Sequence, residues 1–430
     1  MSAYSLAVGE VTKVLADFRD NSFDALACDP PYGFSFMNKA WDYDVPSAAL
    51  WRECLRVLKP GAPLLAFGGA RTYHRLACGI EDAGFELCDK LEWIYAKGMP
   101  KPATTTDKYI DAALGVDRPV VGSRRLQGTA RIKGGGGYTV EAVEGNYDEG
   151  ELRDEIAVTA PGSPEAAQWE GFGHALRPSH EPIALACKPF DGTIAHNVLT
   201  HGVGGLDIAG CQLPRKTHEN PRRINEGCWP ANVIFSHAAD CGDVCSPACP
   251  IRQLDEQSGE RPSNPFRANV AGGAVLPFTA RAAGGLKDTG GASRFFYCTK
   301  VSRKEREAGC EHLALKTAAQ ATNRREGTAG ANRPQAGAGR GSGCRNFHPT
   351  LKPISLTTWL TRLILPPTPG AVLLVPFAGA GSEMIGALKA GWGRNGGGVF
   401  GIEREAEYAE IARARLRHWC PEATGEGEAA

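Results

Sequence analysis

Asp29-Pro30-Pro31-Tyr32 follows directly on Phe23-Asp24-Ala25-Leu26-Ala27-Cys28, a short apolar run of the kind that forms a buried strand. In doubly wound sheets, ligands sit beyond the carboxyl ends of strands, so chemistry is expected at this tetrapeptide. Asp29 supplies a hydrogen-bond acceptor. Pro30 and Pro31 stiffen the backbone and leave their carbonyls unpaired. Tyr32 offers an aromatic face. Carboxylate, carbonyl and ring together form a receptor for a flat heterocycle bearing an exocyclic NH2. The same four residues would also serve as a proline-rich turn with a capping Asp.

A second constellation is Pro376-Phe377-Ala378-Gly379-Ala380-Gly381-Ser382, between the apolar run Ala371–Val375 and a helical pattern from Glu383 to Ala390. Gly379 and Gly381 let the backbone approach a ligand and aim helix-start N–H groups at it. About twenty residues on, the strand pattern Val399–Glu403 ends in an acid, where a carboxylate can take both hydroxyls of a ribose. A glycine turn alone could be a tight corner; with Glu403 a nucleoside-containing cofactor is the better reading. The chain has no Gly-Lys-Ser/Thr P-loop and no full dinucleotide fingerprint, which disfavours ATP and NAD.

Positioning these groups needs strands and helices in alternation. Ser47–Leu58 has a helical apolar period, Pro63–Phe67 reads as a strand, Thr72–Ala83 as a helix and Leu91–Tyr95 as a strand. Near the C-terminus, Ile354–Leu365 and Glu407–His418 read as helices around the Ala371–Val375 and Val399–Glu403 strands. Such alternation predicts an α/β fold with a doubly wound, mostly parallel sheet. The middle, about 100 to 347, is irregular, with short strand candidates at Pro182–Ala186, Ala231–Phe235 and Phe295–Thr299.

Taken together, the motifs resemble the S-adenosylmethionine-dependent amino-methyltransferases of DNA, which act on adenine N6 or cytosine N4. In that family DPPY or SPPY is the catalytic turn and F-x-G-x-G the cofactor loop. His348-Pro349-Thr350-Leu351-Lys352-Pro353 is similar to the segment lining the methionine end of the cofactor. Catalytic motif first and cofactor loop last is the order of the β group. His180-Glu181-Pro182-Ile183, Trp229-Pro230-Ala231-Asn232-Val233 and Phe295–Lys300 resemble phage- and prophage-type members, so the likeness spans nearly the whole chain.

The resemblance implies a Rossmann-like methyltransferase core, S-adenosylmethionine as cofactor and DNA as partner. Asp29, Pro30, Pro31 and Tyr32 would be catalytic; Phe377, Gly379, Gly381, Ser382, Glu403, Thr350 and Lys352 would bind the cofactor. The amine would most readily be adenine N6, with cytosine N4 as the alternative. The runner-up enzymes are RNA or protein-glutamine amino-methyltransferases, and the reading of another class is a DNA-binding protein with an inactive core. Val375 stands where the family often has an Asp that supports the cofactor loop, and Ser382 replaces a common Thr. Cytosine-C5 chemistry, which uses a Cys typically following Pro, is disfavoured because the chain has no Pro-Cys dipeptide.

The expected division is a catalytic half at 1–100, a Gly-rich and acidic insertion at 101–178, a core strand at 179–190, a target-recognition region at 191–347, a cofactor half at 348–420 and a polar tail at 421–430. Within the recognition region His237, Cys241, Cys245 and Cys249 recur every four residues. Four such ligands suffice for tetrahedral zinc, although the spacing is not the usual C-x2-C knuckle and free Cys is often a small buried residue. Arg303, Lys304 and Arg306, with the Arg222-Arg223 pair, are candidates for phosphate or base contacts, or simply solvated loops.

Composition sets the outer limits. The 430 residues carry 48 basic and 48 acidic side chains, which excludes a globally basic protein but not a local basic face. With 53 Gly and 29 Pro, long loops are expected around the core. No apolar run is long enough for a spanning helix and no signal peptide is visible, so a cytoplasmic protein of a bacterial or phage-infected cell, with no membrane partner and reduced thiols, is expected. A homodimer is allowed, and a restriction endonuclease partner is undetermined.

Overall fold

The computed structural model describes residues 3–34, 40–95, 105–125, 132–133, 152–153, 155–213, 229–238, 241–242, 244–262, 289–299, 304–322 and 343–423. The chain divides into two compact units, each described by itself: Met1–Ala96 with His180–Glu305 and Lys352–Ala430, and Lys97–Ser179 with Arg306–Leu351. No helix among the described residues is long and apolar enough to cross a membrane.

The first unit is built on a nine-stranded sheet. Its strands are β1 (Tyr4–Val8), β2 (Ala25–Cys28), β3 (Pro63–Phe67), β4 (Glu86–Ile94), β5 (His180–Cys187), β6 (Val233–Ser236), β7 (Tyr297–Thr299), β8 (Val372–Val375) and β9 (Gly398–Glu403). The spatial order is β1-β9-β8-β2-β3-β5-β4-β6-β7. Every pairing is parallel except the two made by β5, which runs antiparallel to both β3 and β4. This is the expected α/β, doubly wound, mostly parallel sheet.

Sequence explains the centre of the sheet. β2 (ALAC) and β3 (PLLAF) are buried at every position, as strands covered on both faces must be. Helix α1 is Val11–Leu15, and α2 (Ala48–Val57) starts where Ser47 Oγ accepts from Leu50 N–H. Trp51, Cys54 and Val57 of α2 are buried on its sheet-facing stripe. Further helices are α3 (Tyr73–Asp82), α4 (Ile194–His201), α5 (Pro250–Ser258), α6 (Ile354–Leu363), α7 (Ser382–Ala390) and α8 (Ala406–Trp419).

The sheet order locates a crevice. From β2 the chain passes through α2 to β3 on one side; from β8 it passes through α7 to β9 on the other. β2 and β8 are themselves neighbours, pairing Leu373 with Ala25 and Leu374 with Leu26. Connections leaving adjacent strands in opposite directions open a gap above their carboxyl ends, the topological switch point of such sheets. Asp29 follows β2 and the glycine turn follows β8, so both motifs sit at that gap.

Strand β1 and helix α1 have no counterpart in the sequence reading. Five residues carry too little periodicity, and β1 is fixed by parallel pairing with β9, almost 400 positions later in the chain by register Tyr4 to Val399.

The expected recognition region, 191–347, is divided between the two units. Residues up to Glu305 join the first because β6 and β7 extend its sheet from β4. Residues from Arg306 join the second, whose described parts include a helix at Thr106–Leu114 and an antiparallel pair, Val120–Arg125 with Glu155–Thr159. There Arg118 bridges buried Asp107 and Asp111 at 2.7 and 2.5 Å. Arg306 donates to the carbonyls of Asn346 and His348, and Arg345 to that of Leu313, so these two guanidinium groups serve the unit's own loops. Arg303 and the Arg222-Arg223 pair lie outside the described residues.

Candidate functional site

Asp29 leaves the end of β2 with Pro30 buried behind it and Pro31 partly exposed. The turn is held by a residue that no sequence motif singles out. Asp42 is buried, and its Oδ1 accepts from the N–H groups of Tyr32 at 2.7 Å and Gly33 at 3.1 Å, while Oδ2 accepts from Phe34 N–H at 3.3 Å. A carboxylate taking three successive backbone donors fixes the path of a loop that has no ladder to join. Thr72 Oγ1 adds a bond to the Tyr32 carbonyl at 2.7 Å.

Four side chains then converge. Tyr32 OH lies 2.8 Å from Asp29 Oδ1 and 2.9 Å from Glu181 Oε2. Lys352 Nζ lies 2.6 Å from Asp29 Oδ2, 3.1 Å from Tyr32 OH and 3.2 Å from Glu181 Oε2. Lys352 is only 4% exposed and Asp29 14%. One hydroxyl proton cannot serve two carboxylates fully, so the ammonium is what holds them together. Burial acts to strip the Lys352 proton, but Asp29 and Glu181 outweigh it and keep the ammonium well above its ordinary range. Burial, then Asp29 and Glu181, push the Tyr32 hydroxyl upward, so it stays neutral.

Lys352, expected beside the cofactor, is thus placed in the Asp29 cluster. Glu181 comes from β5, the antiparallel strand between β3 and β4; in sequence, His180-Glu181-Pro182-Ile183 is legible only as a family-like segment, with no chemistry attached. Thr350 belongs to the second unit, where its carbonyl lies 2.5 Å from His348 Nδ1.

The glycine turn is tied to the end of β9. Gly379 N–H donates to Glu403 Oε2 at 2.8 Å, Glu405 N–H to Glu403 Oε1 at 2.8 Å, and Ala378 N–H to the Ile402 carbonyl at 2.8 Å. Gly379 and Gly381 both have positive φ, and a Cβ at Gly381 would lie 3.2 Å from that of Ala412. Glycine is therefore required twice in this turn. Val375 is fully buried in the core and reaches no loop atom by a polar contact; Glu403 supplies the acidic support that Val375 lacks. Burial raises the Glu403 carboxyl, against which the Glu405 and Gly379 N–H bonds work.

Phe377 packs edge-on against Trp51 of α2, with ring centroids 6.4 Å apart. Ser382 Oγ accepts from Arg415 Nη1 at 3.2 Å, so the hydroxyl braces the start of α7. The next residue, Glu383, is the least expected: it is 5% exposed, and its Oε1 has no hydrogen-bond partner among the described residues. Burial first, then the nearby Asp29 charge, raise its carboxyl to about 7, with Lys352 and Arg415 pulling the other way. An acidic residue at a helix N-terminus is an ordinary capping choice in sequence, which gives no sign of this burial.

The third constellation is also assembled. Ligand atoms of His237, Cys241, Cys245 and Cys249 lie within 4.8 Å of one another.

No protein-family model matches the chain. Among solved structures, a candidate DNA modification methylase from Thermus thermophilus is 14% identical, with 98% of this chain and 97% of that chain covered at a TM-score of 0.38. The M1.HpyAVI–SAM complex is 10% identical over 96% of this chain and 99% of that one, with a TM-score of 0.35. PvuII DNA methyltransferase, described as cytosine-N4-specific, is 10% identical over 97% and 87%, with a TM-score of 0.38. At such identities and scores these likenesses carry no weight on activity; the α/β class rests on the strand order itself.

Proposed function

We propose that the protein transfers a methyl group from S-adenosylmethionine to an exocyclic amine of a flipped-out base in DNA, with adenine N6 as the amine and cytosine N4 as the alternative. The carrying observation is that the Asp29–Tyr32 turn and the Gly379–Glu403 loop flank one crevice at the switch point between β2 and β8.

The residues present fit that cofactor. Each Glu403 oxygen accepts one backbone N–H and retains a lone-pair direction for a ribose hydroxyl. The unpartnered Glu383 Oε1 suits the ammonium of a methionine moiety. When bound, S-adenosylmethionine supplies an electrophilic methyl on a sulfonium.

Asp29 would accept from the target N–H and turn the nitrogen lone pair toward that methyl. As the new N–C bond formed, the methyl–sulfur bond would break with its electron pair staying on sulfur as a neutral thioether, and the positive charge passed to the nitrogen would be relieved when its proton leaves to water. Asp29 and Glu181 bring two negative charges against the single ammonium of Lys352, so the cluster is net negative and favours that charge. Lys352, locked as an ammonium, cannot be the base; its bond to Oδ2 keeps Asp29 aimed. Tyr32 would do more than stack: its hydroxyl is committed to the carboxylates, and its ring lies edge-on to Phe34 with centroids 6.0 Å apart. A base must leave the duplex to reach this turn, at a cost of about a few kcal/mol.

The test is incubation of the protein with tritium-methyl S-adenosylmethionine and duplex DNA, followed by digestion to nucleosides. N6-methyladenine is expected. N4-methylcytosine would move the base assignment, and no label in DNA would overturn the reading.

A further inference from the structure

The His237, Cys241, Cys245 and Cys249 side chains stand outside the crevice and take no part in the chemistry proposed for it. His237 follows β6 directly, and its N–H donates to the Thr299 carbonyl of β7 at 2.9 Å. Cys249 is the N-cap of α5, with Pro250 at the first helical position. Cys241 and Cys245 lie on the loop between them. The four thus join the outer edge of the sheet to the start of a helix.

Their ligand atoms lie close enough together to share one ion. His237 Nδ1 lies 3.3 Å from Cys245 Sγ and 3.5 Å from Cys249 Sγ, and all four ligand atoms fall within 4.8 Å of one another. In a tetrahedral zinc site with Zn–S of about 2.3 Å and Zn–N of about 2.0–2.1 Å, S···N edges are about 3.6 Å and S···S edges about 3.8 Å. A single imidazole lone pair can accept from one thiol, not two. Two sulfurs at nearly equal distance from one Nδ1, with a third close by, are accounted for by a shared centre. Cys298, though packed against the same small cluster, turns its sulfur to the Ser293 and Phe296 carbonyls and is not part of the shell.

Among the described residues, the apolar cluster here consists of buried Ala238, Cys249 and Ile251, with Phe235, Cys241, Cys245 and Cys298 partly buried against it. The helix is also tied to the 292–295 segment, where Asp255 accepts from Ser293 N–H at 2.8 Å. A bound ion would add a fastening for the loop that carries Cys241 and Cys245. Cys241, Cys245, Cys249 and Cys298 form no disulfide.

We infer that His237, Cys241, Cys245 and Cys249 bind one zinc ion that fastens the β6–β7 edge of the sheet to the N-terminus of α5. Three thiolates and one imidazole select zinc over hard cations. Four protein ligands leave no open position, so the ion is structural and supplies no nucleophile. The inference is independent of the methyl-transfer reading, because none of the four residues belongs to that crevice.

The test uses the full chain, purified without a histidine tag or chelator from zinc-supplemented cells, with metal measured by plasma mass spectrometry. About one zinc per chain is expected, released when the thiols are titrated with an organomercurial. Cys241→Ser with Cys249→Ser should lose the metal, while Cys298→Ser keeps it. Should the double variant not fold, cobalt added to metal-stripped wild-type protein gives a second readout: sulfur-to-cobalt charge-transfer absorption with intense tetrahedral visible bands. Metal-free wild-type protein that gives no such spectrum would overturn the site, as would zinc retained at full content in a folded double variant.

Discussion

Lys352 Nζ lies 2.6 Å from Asp29 Oδ2, although 323 positions separate the two residues in the chain. The pair links the turn after β2 to the segment that leads into α6, and Glu181 at 3.2 Å from the same ammonium brings in the antiparallel strand β5. Removing the ammonium would leave the two carboxylates facing each other with no compensating charge.

Asp29→Ala should reduce methyl transfer by on the order of 10²–10³-fold while leaving cofactor affinity nearly unchanged. On the proposed function the carboxylate would handle the amine, whereas Glu403 and the glycine turn would hold the nucleoside. Calorimetry with S-adenosylmethionine beside a tritium-methyl assay separates the two effects. Retained activity would remove Asp29 from the reaction.

For Glu403→Ala the pattern should reverse. Loss of charge-assisted hydrogen bonds should weaken cofactor binding by roughly 1–3 kcal/mol. Because Gly379 and Glu405 also lose their acceptor, a small fall in melting temperature without cofactor is expected as well. Unchanged affinity would mean that the turn is only a corner of the fold.

The Glu383 carboxyl, raised from 4.5 to about 7, gives a pH dependence of definite sign. The folded state keeps a proton that the unfolded chain has already released, so stability falls as pH rises from 4.5 to about 7 and is level above. Binding of a cofactor ammonium favours the ionised form, so affinity should tighten as pH rises through about 7. Glu383→Gln should flatten both curves. Equal slopes of affinity against pH in the two proteins would detach Glu383 from the cofactor.

Asp42→Ala removes an acceptor from three backbone N–H groups at once. Each orphaned donor costs about 1–3 kcal/mol if it stays buried, and less where water reaches it. Activity should drop with affinity for S-adenosylmethionine preserved, because Asp42 acts through the Tyr32 turn. A variant with unaltered activity and melting temperature would show that the turn holds its path without this acid.

Much of this protein is determined by local sequence. The runs Ala25–Cys28, Pro63–Phe67 and Ala371–Val375 are apolar throughout, and strands β2, β3 and β8 lie within them because burial on both faces favours that composition. The turns after β2 and β8 are equally legible, since two prolines at one and two glycines at the other restrict or free the backbone in ways that other residues do not. The spacing of His237, Cys241, Cys245 and Cys249 marks them as a set.

Only the tertiary structure decided the partners. In sequence Asp42, Glu181 and Lys352 give no sign of the groups they meet, because a carboxylate or ammonium carries no mark of what it will face. Strand β1 is invisible in sequence for a similar reason: five residues acquire their register from β9 and not from their own pattern. Glu383 reads as an ordinary helix-start acid until packing buries it without a partner for Oε1. Composition and period fix which segments are buried, as those are properties of neighbouring residues; which charges meet depends on strand order, and that is settled by pairing across the whole chain.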